Sequence, residues 1–214
     1  MPEILPFRGY RYDLSRVGIQ DVVAPPYDVI SPHQQSQLYD KSPYNVVRLI
    51  LGREEDRYAS AAKYFLEWQD KGLLVRDKKP CFYAVQQKFD GLNGIPITRK
   101  GFIALCRLEE FEKKIVLPHE KTLAKPREDR FKLFKATNAN FSQIFSLYSD
   151  PEKRIDSSLN GATNKPPTVE VVFEDVENRL WMVDDEKCIA AIQGFLVDKQ
   201  VLIADGHHRY ETAI

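Results

Sequence analysis

Cysteine is scarce in this chain and badly spaced for chemistry. There are three, Cys81, Cys106 and Cys188, and no Cys-x-x-Cys pair. That spacing excludes the common zinc-binding and dithiol redox patterns. An odd count fits reduced thiols, and the apolar surroundings of all three make each a candidate small buried hydrophobe. No run of about 18 apolar residues is present to span a membrane. Net charge is also missing, with 31 basic residues against 31 acidic ones. A general nucleic-acid binder draws on a basic excess, so nucleic acid is not an expected partner of this stretch. Internal repeats and low-complexity tracts are absent, and the first residues lack the charged-then-apolar pattern of a secretory leader. These absences together lead us to expect a cytoplasmic protein.

What is there suffices for a core: 214 residues, 43% of them hydrophobic. That is enough for one large unit. Residues 55–71 carry apolar side chains at helical spacing and stop at Gly72, and Ser31-Pro32 opens a shorter helix. Residues 185–195 repeat the pattern with Ile189, Ile192 and Phe195 or Leu196 inward. Runs at 81–89 and 97–108, joined across residues 90–94, predict a hairpin. A second hairpin is expected from 169–173 and 179–183 across 174–178. Shorter strand candidates lie at 21–24, 46–51, 115–117 and 141–148. Helices are expected from Pro126 to about Thr137 and from Asp150 to near Gly161. Intermixed strands, helices and two hairpins predict an α+β fold with a mixed sheet and packed helices.

The densest chemistry stands at the end of the chain. Val201-Leu202-Ile203-Ala204 predicts a buried strand, Asp205-Gly206 a sharp turn, and His207-His208-Arg209 the first turn of a helix. Unpaired N–H groups at a helix start attract anions, Gly206 allows close approach, and an arginine fork binds phosphate in two places. Histidine titrates near neutral pH, which makes His208 a candidate for proton transfer. Asp205 and Asp28 are the candidate Mg²⁺ ligands. Asp28 follows the rigid Pro25-Pro26-Tyr27 and is equally a candidate general base. His119-Glu120-Lys121-Thr122 closes another strand. It lacks the second histidine of a zinc-protease helix, but His119 and Thr122 are candidate phosphate contacts and Glu120 a candidate base. Between Lys121 and Lys135 lie six basic residues and two acidic ones. Arg127 and Arg130, one turn apart, are expected to act together on phosphate. Lys132 and Lys135 are expected on a solvated face, with Glu128–Lys132 as an i, i+4 pair.

Leu202-Ile203-Ala204-Asp205-Gly206-His207-His208-Arg209-Tyr210-Glu211-Thr212-Ala213 resembles the signature of the DUF1015 family. Pro25 to Ile30, His119 to Thr122, Asp129-Arg130 and Asn138-Ala139-Asn140 stand in that family's order. The resemblance covers the whole chain. Members of the family are about twice this length, so the chain is expected to be the N-terminal part of a longer protein and a single unit over 1–214. The Gly206–Arg209 turn is also similar to the phosphate turns of the ParB/sulfiredoxin superfamily. Sulfiredoxins hold ATP phosphates on a Gly-Cys-His-Arg turn, and the superfamily includes free-serine kinases.

The function these readings imply is phosphotransfer to a small hydroxyl substrate such as free serine. The resemblance implies ATP, ADP or pyrophosphate as donor, with Mg²⁺. In that scheme Gly206, His207, His208 and Arg209 hold phosphate, and Asp28 or Glu120 takes the hydroxyl proton. The alternatives are a ParB-like nucleotide-binding regulator, a nuclease or phosphodiesterase, and a binding module without chemistry.

Overall fold

The computed structural model describes residues 2–120 and 124–214. In chain order they form β1 (Ile4–Leu5), β2 (Tyr10–Tyr12), α1 (Ile19–Val22), α2 (Pro32–Lys41), α3 (Val47–Ile50), α4 (Arg57–Asp70), β3 (Leu74–Arg76), β4 (Phe82–Asp90), β5 (Pro96–Ile103) and β6 (Leu105–Cys106). A 3₁₀ turn at Phe111–Lys113 leads to β7 (Val116–Leu117), α5 (Ala124–Thr137), β8 (Phe145–Leu147), α6 (Arg154–Thr163), β9 (Val169–Phe173), β10 (Val176–Val183), α7 (Glu186–Leu196), β11 (Val201–Asp205) and α8 (His207–Ala213). The fold is α+β, as the patterning predicts.

Two hairpins share one antiparallel sheet of order β5-β4-β10-β9. The turn of the second hairpin is tighter than expected. Only Glu174 and Asp175 make it, both at positive φ (49° and 61°), the backbone that a two-residue loop needs to follow strand twist. Ile155 and Leu159 of α6 and Ile189, Ile192 and Leu196 of α7 pack on Phe82, Ala84, Trp181 and Val183 of the sheet. Burying one such aliphatic side chain stabilises the fold by about 1.5–3 kcal/mol. Leu196, rather than Phe195, is the fully buried member of the α7 stripe. The Asp185 carboxylate caps α7 by accepting from the Cys188 N–H at 2.7 Å.

A second core gathers around α4, where Phe65 and Trp68 pack with Leu49, Ile50, Leu73 and Leu74. Ser31 caps α2 as expected, accepting from the Gln34 N–H at 3.2 Å. Two expected strands are helical instead. Residues 46–51 form α3, because buried Asn45 donates to the carbonyls of Asp21 and Val23 and accepts from the Val47 N–H, each at 2.9 Å. That fixed polar hub starts a helical turn whatever the β propensity of the run. Residues 19–22 form α1 before the chain extends into Pro25. The 97–108 run breaks at Ala104, and β6 leaves to pair with β1. Residues 141–148 contribute only β8. Cys106 is exposed, contrary to expectation, while Cys81 is buried; all three thiols are free.

The third sheet, order β7-β11-β8, positions the site. β11 runs parallel to β7 and antiparallel to β8. Val116, Val201 and Ile203 bury one face against Tyr210 of α8. The Tyr210 hydroxyl accepts from the Glu109 N–H and donates to the Glu109 carbonyl, both at 2.9 Å. This latch fixes the start of α8 against the segment that enters β7.

Candidate functional site

Parallel pairing puts the carboxyl ends of β7 and β11 side by side, the place where ligands gather on open sheets with parallel strands. His119 and Glu120 leave β7 there. Asp205, Gly206 and His207 leave β11. Gly206 adopts φ 92°, the left-handed backbone that a side chain resists. The turn drops His207 inward over the end of β7 rather than out toward solvent, and only 1% of it remains exposed.

Three contacts set the protonation pattern. The Nδ1 of His119 lies 2.6 Å from the Ile203 carbonyl oxygen. An oxygen acceptor requires that Nδ1 carry a proton, which leaves Nε2 as the nitrogen not engaged by this contact. The backbone N–H of His119 donates to Nε2 of His207 at 3.2 Å. That nitrogen is therefore the acceptor, and Nδ1 of His207 carries a proton. Glu120 Oε1 stands 2.9 Å from this Nδ1. The distance is that of an ion pair, and among the described residues the buried Nδ1 makes no hydrogen bond. The two imidazole rings meet edge to face with centroids 4.5 Å apart. His119, Glu120 and His207 offer ligand atoms that all lie within 4.8 Å of one another. Two of these residues face solvent and one is buried.

The other expected site residues are placed as follows. Arg209 folds back over Gly206. It donates to Asp205 Oδ2 at 2.7 Å and to the Gln143 carbonyl at 2.5 Å. A Cβ on Gly206 would lie 2.9 Å from that guanidinium. Asp205 is mostly exposed, and His208 is half-buried with its carbonyl accepting from the Thr212 hydroxyl. Arg127 pairs with Glu211 at 3.1 Å, tying α5 to α8. Asp28 is exposed next to Tyr27. Neither Asp28 nor Asp205 joins a cluster of three metal-binding side chains among the described residues. Thr122 lies outside the described residues.

Arg130 is spent on the protein itself. It is 8% exposed, donates to the Ile50 carbonyl through both terminal nitrogens, and pairs with Asp129. Its guanidinium stacks on the Tyr27 ring at 3.7 Å. Asp129 also receives Arg57 and the Tyr58 hydroxyl. Burial works against the Asp129 carboxylate. The bonds from Tyr58 and Arg130 and the charges of Arg130 and Arg57 outweigh it and hold the group below the usual carboxylate range. Burial raises the Tyr27 phenol, opposed first by the Arg130 charge, and Asp28, Asp129 and Arg209 act on it too. Tyr27 thus stands between this network and the Arg209 turn. Arg57 and Tyr58 were invisible as site neighbours in the sequence, since 72 and 71 positions separate them from Asp129. The solvated face of α5 is as expected, with Glu128 and Lys132 paired at 2.7 Å.

The family model described as "Protein of unknown function (DUF1015)" matches residues 4–214. The chain belongs to this family. No curated protein and no solved structure matches it. Of the DUF1015 motifs noted in the sequence, His119-Glu120 and His207 meet in the histidine–carboxylate cluster, and Tyr27 and Asp129-Arg130 in the arginine network. Among the described residues, no helix is long and apolar enough to cross a membrane.

Proposed function

We propose that this DUF1015 chain is a phosphotransferase that moves a phosphoryl group from a nucleotide or pyrophosphate to a small hydroxyl substrate, with free serine as the first acceptor to try. The observation that carries the reading is the convergence of His119, Glu120 and His207 at the carboxyl ends of β7 and β11, with Arg209 in the first turn of α8. Similarity of the Gly206–Arg209 turn to those of ParB and sulfiredoxin proteins, and of the superfamily to serine kinases, supports the choice of phosphate chemistry.

Phosphoryl transfer needs positioning and charge neutralisation more than covalent help. Glu120 projects into solvent from a cluster that holds it beside His207, so it is the base that meets an incoming hydroxyl. The hydroxyl oxygen bonds to the terminal phosphorus, the bond to the donor's bridging oxygen breaks, and the hydroxyl proton passes to Glu120. The departing phosphate keeps the electron pair. The His119 ring meets His207 edge to face in the same cluster. Arg209 is held by Asp205, and a donor phosphate competes for that fork as a second anion. Mg²⁺ supplies further neutralisation of donor charge when bound, and exposed Asp205 is the carboxylate of the turn that would face it.

The test is phosphorus NMR on the chain with Mg²⁺, each of ATP, ADP and pyrophosphate in turn, and serine. A phosphoserine signal that needs all components supports the proposal. Donor hydrolysis that ignores the acceptor favours the phosphodiesterase alternative. Binding of a donor without turnover favours a regulator or binding module.

A further inference from the structure

We propose that His119, Glu120 and His207 also form a site for a divalent transition metal of the zinc class. Two independent observations meet here. Three ligand-type side chains place one donor atom each within 4.8 Å of one another. Separately, among the described residues Nδ1 of His207 is buried, makes no hydrogen bond, and stands 2.9 Å from Glu120 Oε1. A buried polar atom left unpaired is costly and asks for an explanation. A metal ion shared by Nδ1 and the carboxylate supplies one.

The surroundings suit the same role. A metal-binding histidine usually fixes its ring by donating the other N–H to a carbonyl. His119 does this already, through Nδ1 to Ile203, which leaves Nε2 for the metal. Two imidazoles and one carboxylate suit zinc, manganese, nickel or cobalt rather than magnesium, which prefers oxygen throughout. Three protein ligands leave a fourth position open, the pattern of reactive rather than structural zinc sites. Loading has one internal cost. The His207 ring proton must move from Nδ1 to Nε2, and the 3.2 Å bond from the His119 amide is given up. No proton is lost in that shift. The metal–nitrogen bond must outweigh that lost hydrogen bond and the repulsion of the Nε2–H and His119 N–H, which would then face each other. Loading also withdraws Glu120 and His119 from proton transfer. The site therefore stands apart from the phosphotransferase reading and does not rest on it.

Cobalt(II) is the probe, since its visible absorption reports coordination without any substrate. The chain is titrated with Co²⁺ alone, then with Zn²⁺ as competitor. The expected result is a saturable band at one equivalent, abolished by Zn²⁺. Glu120→Gln and His119→Ala, both at exposed positions, should each weaken binding by about tenfold or more, while His33→Ala binds as wild type. His207→Gln is the variant that could fail to fold, so the two exposed variants decide. Absence of a saturable band overturns the proposal. So does a band that Glu120→Gln and His119→Ala leave unchanged, which would place the metal elsewhere. No phosphotransfer by the cobalt-free chain with Mg²⁺, donor and serine, beside a saturable cobalt band in a separate titration, would fail the function and leave the metal site standing.

Discussion

Two charged clusters, one centred on Asp129 and Arg130 and the other on His119 and His207, differ in how completely they are satisfied. In the network of Arg57, Tyr58, Asp129, Arg130 and Tyr27, the donors of Arg130 and the carboxylate of Asp129 have partners within the protein. In the cluster of His119, Glu120 and His207, a buried nitrogen has no hydrogen-bond partner and a carboxylate stands half in solvent. Both clusters contain residues of the family motifs. The first uses them to join α4, α5 and the Pro25–Pro26 segment; the second leaves capacity for a ligand. Motif membership does not separate a brace from a reactive site, whereas the state of each donor and acceptor does.

The largest expected effect breaks the brace. Asp129→Ala leaves Arg130 buried and without its carboxylate, and should cost about 3 kcal/mol, the low end for a broken buried pair; urea unfolding measures it. A wild-type midpoint would move this network out of the structural role. Gly206→Ala should cost about 1–2 kcal/mol for its left-handed backbone, and it also pushes Arg209 off Asp205. If the proposed phosphotransferase reading holds, donor affinity should fall along with stability, readable by thermal shift with and without ATP. Acid should act more gradually. Asp129 is held below its ordinary value, and so is Asp77, where the bonds and charge of Arg11 and the Tyr83 hydroxyl overcome burial. A depressed carboxylate stabilises the fold above its unfolded value of about 3.9. That contribution is lost as pH falls through the folded value, so unfolding midpoints should drop from about pH 4 downward. Asp129→Asn should flatten that slope, and an unchanged slope would remove Asp129 from the account. The smallest effect is on the open side: exposed His119→Ala should change stability by about 0.5 kcal/mol or less.

Local rules made much of the fold legible. The stripe of Ala61, Phe65 and Trp68, the cap at Ser31, and the turns around Gly94 and Gly206 are short-range signals. Residues 46–51 read as a strand because their side chains are apolar and β-branched; the buried Asn45 hub that makes them helical depends on carbonyls more than 20 positions away. The site was half legible. His119, Glu120 and His207 were each singled out, but as phosphate contacts and a base in separate motifs. Their union depends on the parallel pairing of β7 with β11, which brings together residues 88 apart. Arg130 looked like a phosphate fork because sequence shows a charge and not whether its donors are spent.

The most direct test compares phosphoryl transfer rates of folded Glu120→Gln and folded Asp129→Asn with wild type, under identical donor, Mg²⁺ and serine. The account predicts that Glu120→Gln loses about 10²–10⁴-fold, the usual worth of a positioned base, with its unfolding midpoint unchanged. Asp129→Asn should unfold more easily yet keep its rate while folded. A Glu120→Gln chain as fast as wild type, or an Asp129→Asn chain that is stable and inactive, would contradict the assignment of chemistry to the open cluster.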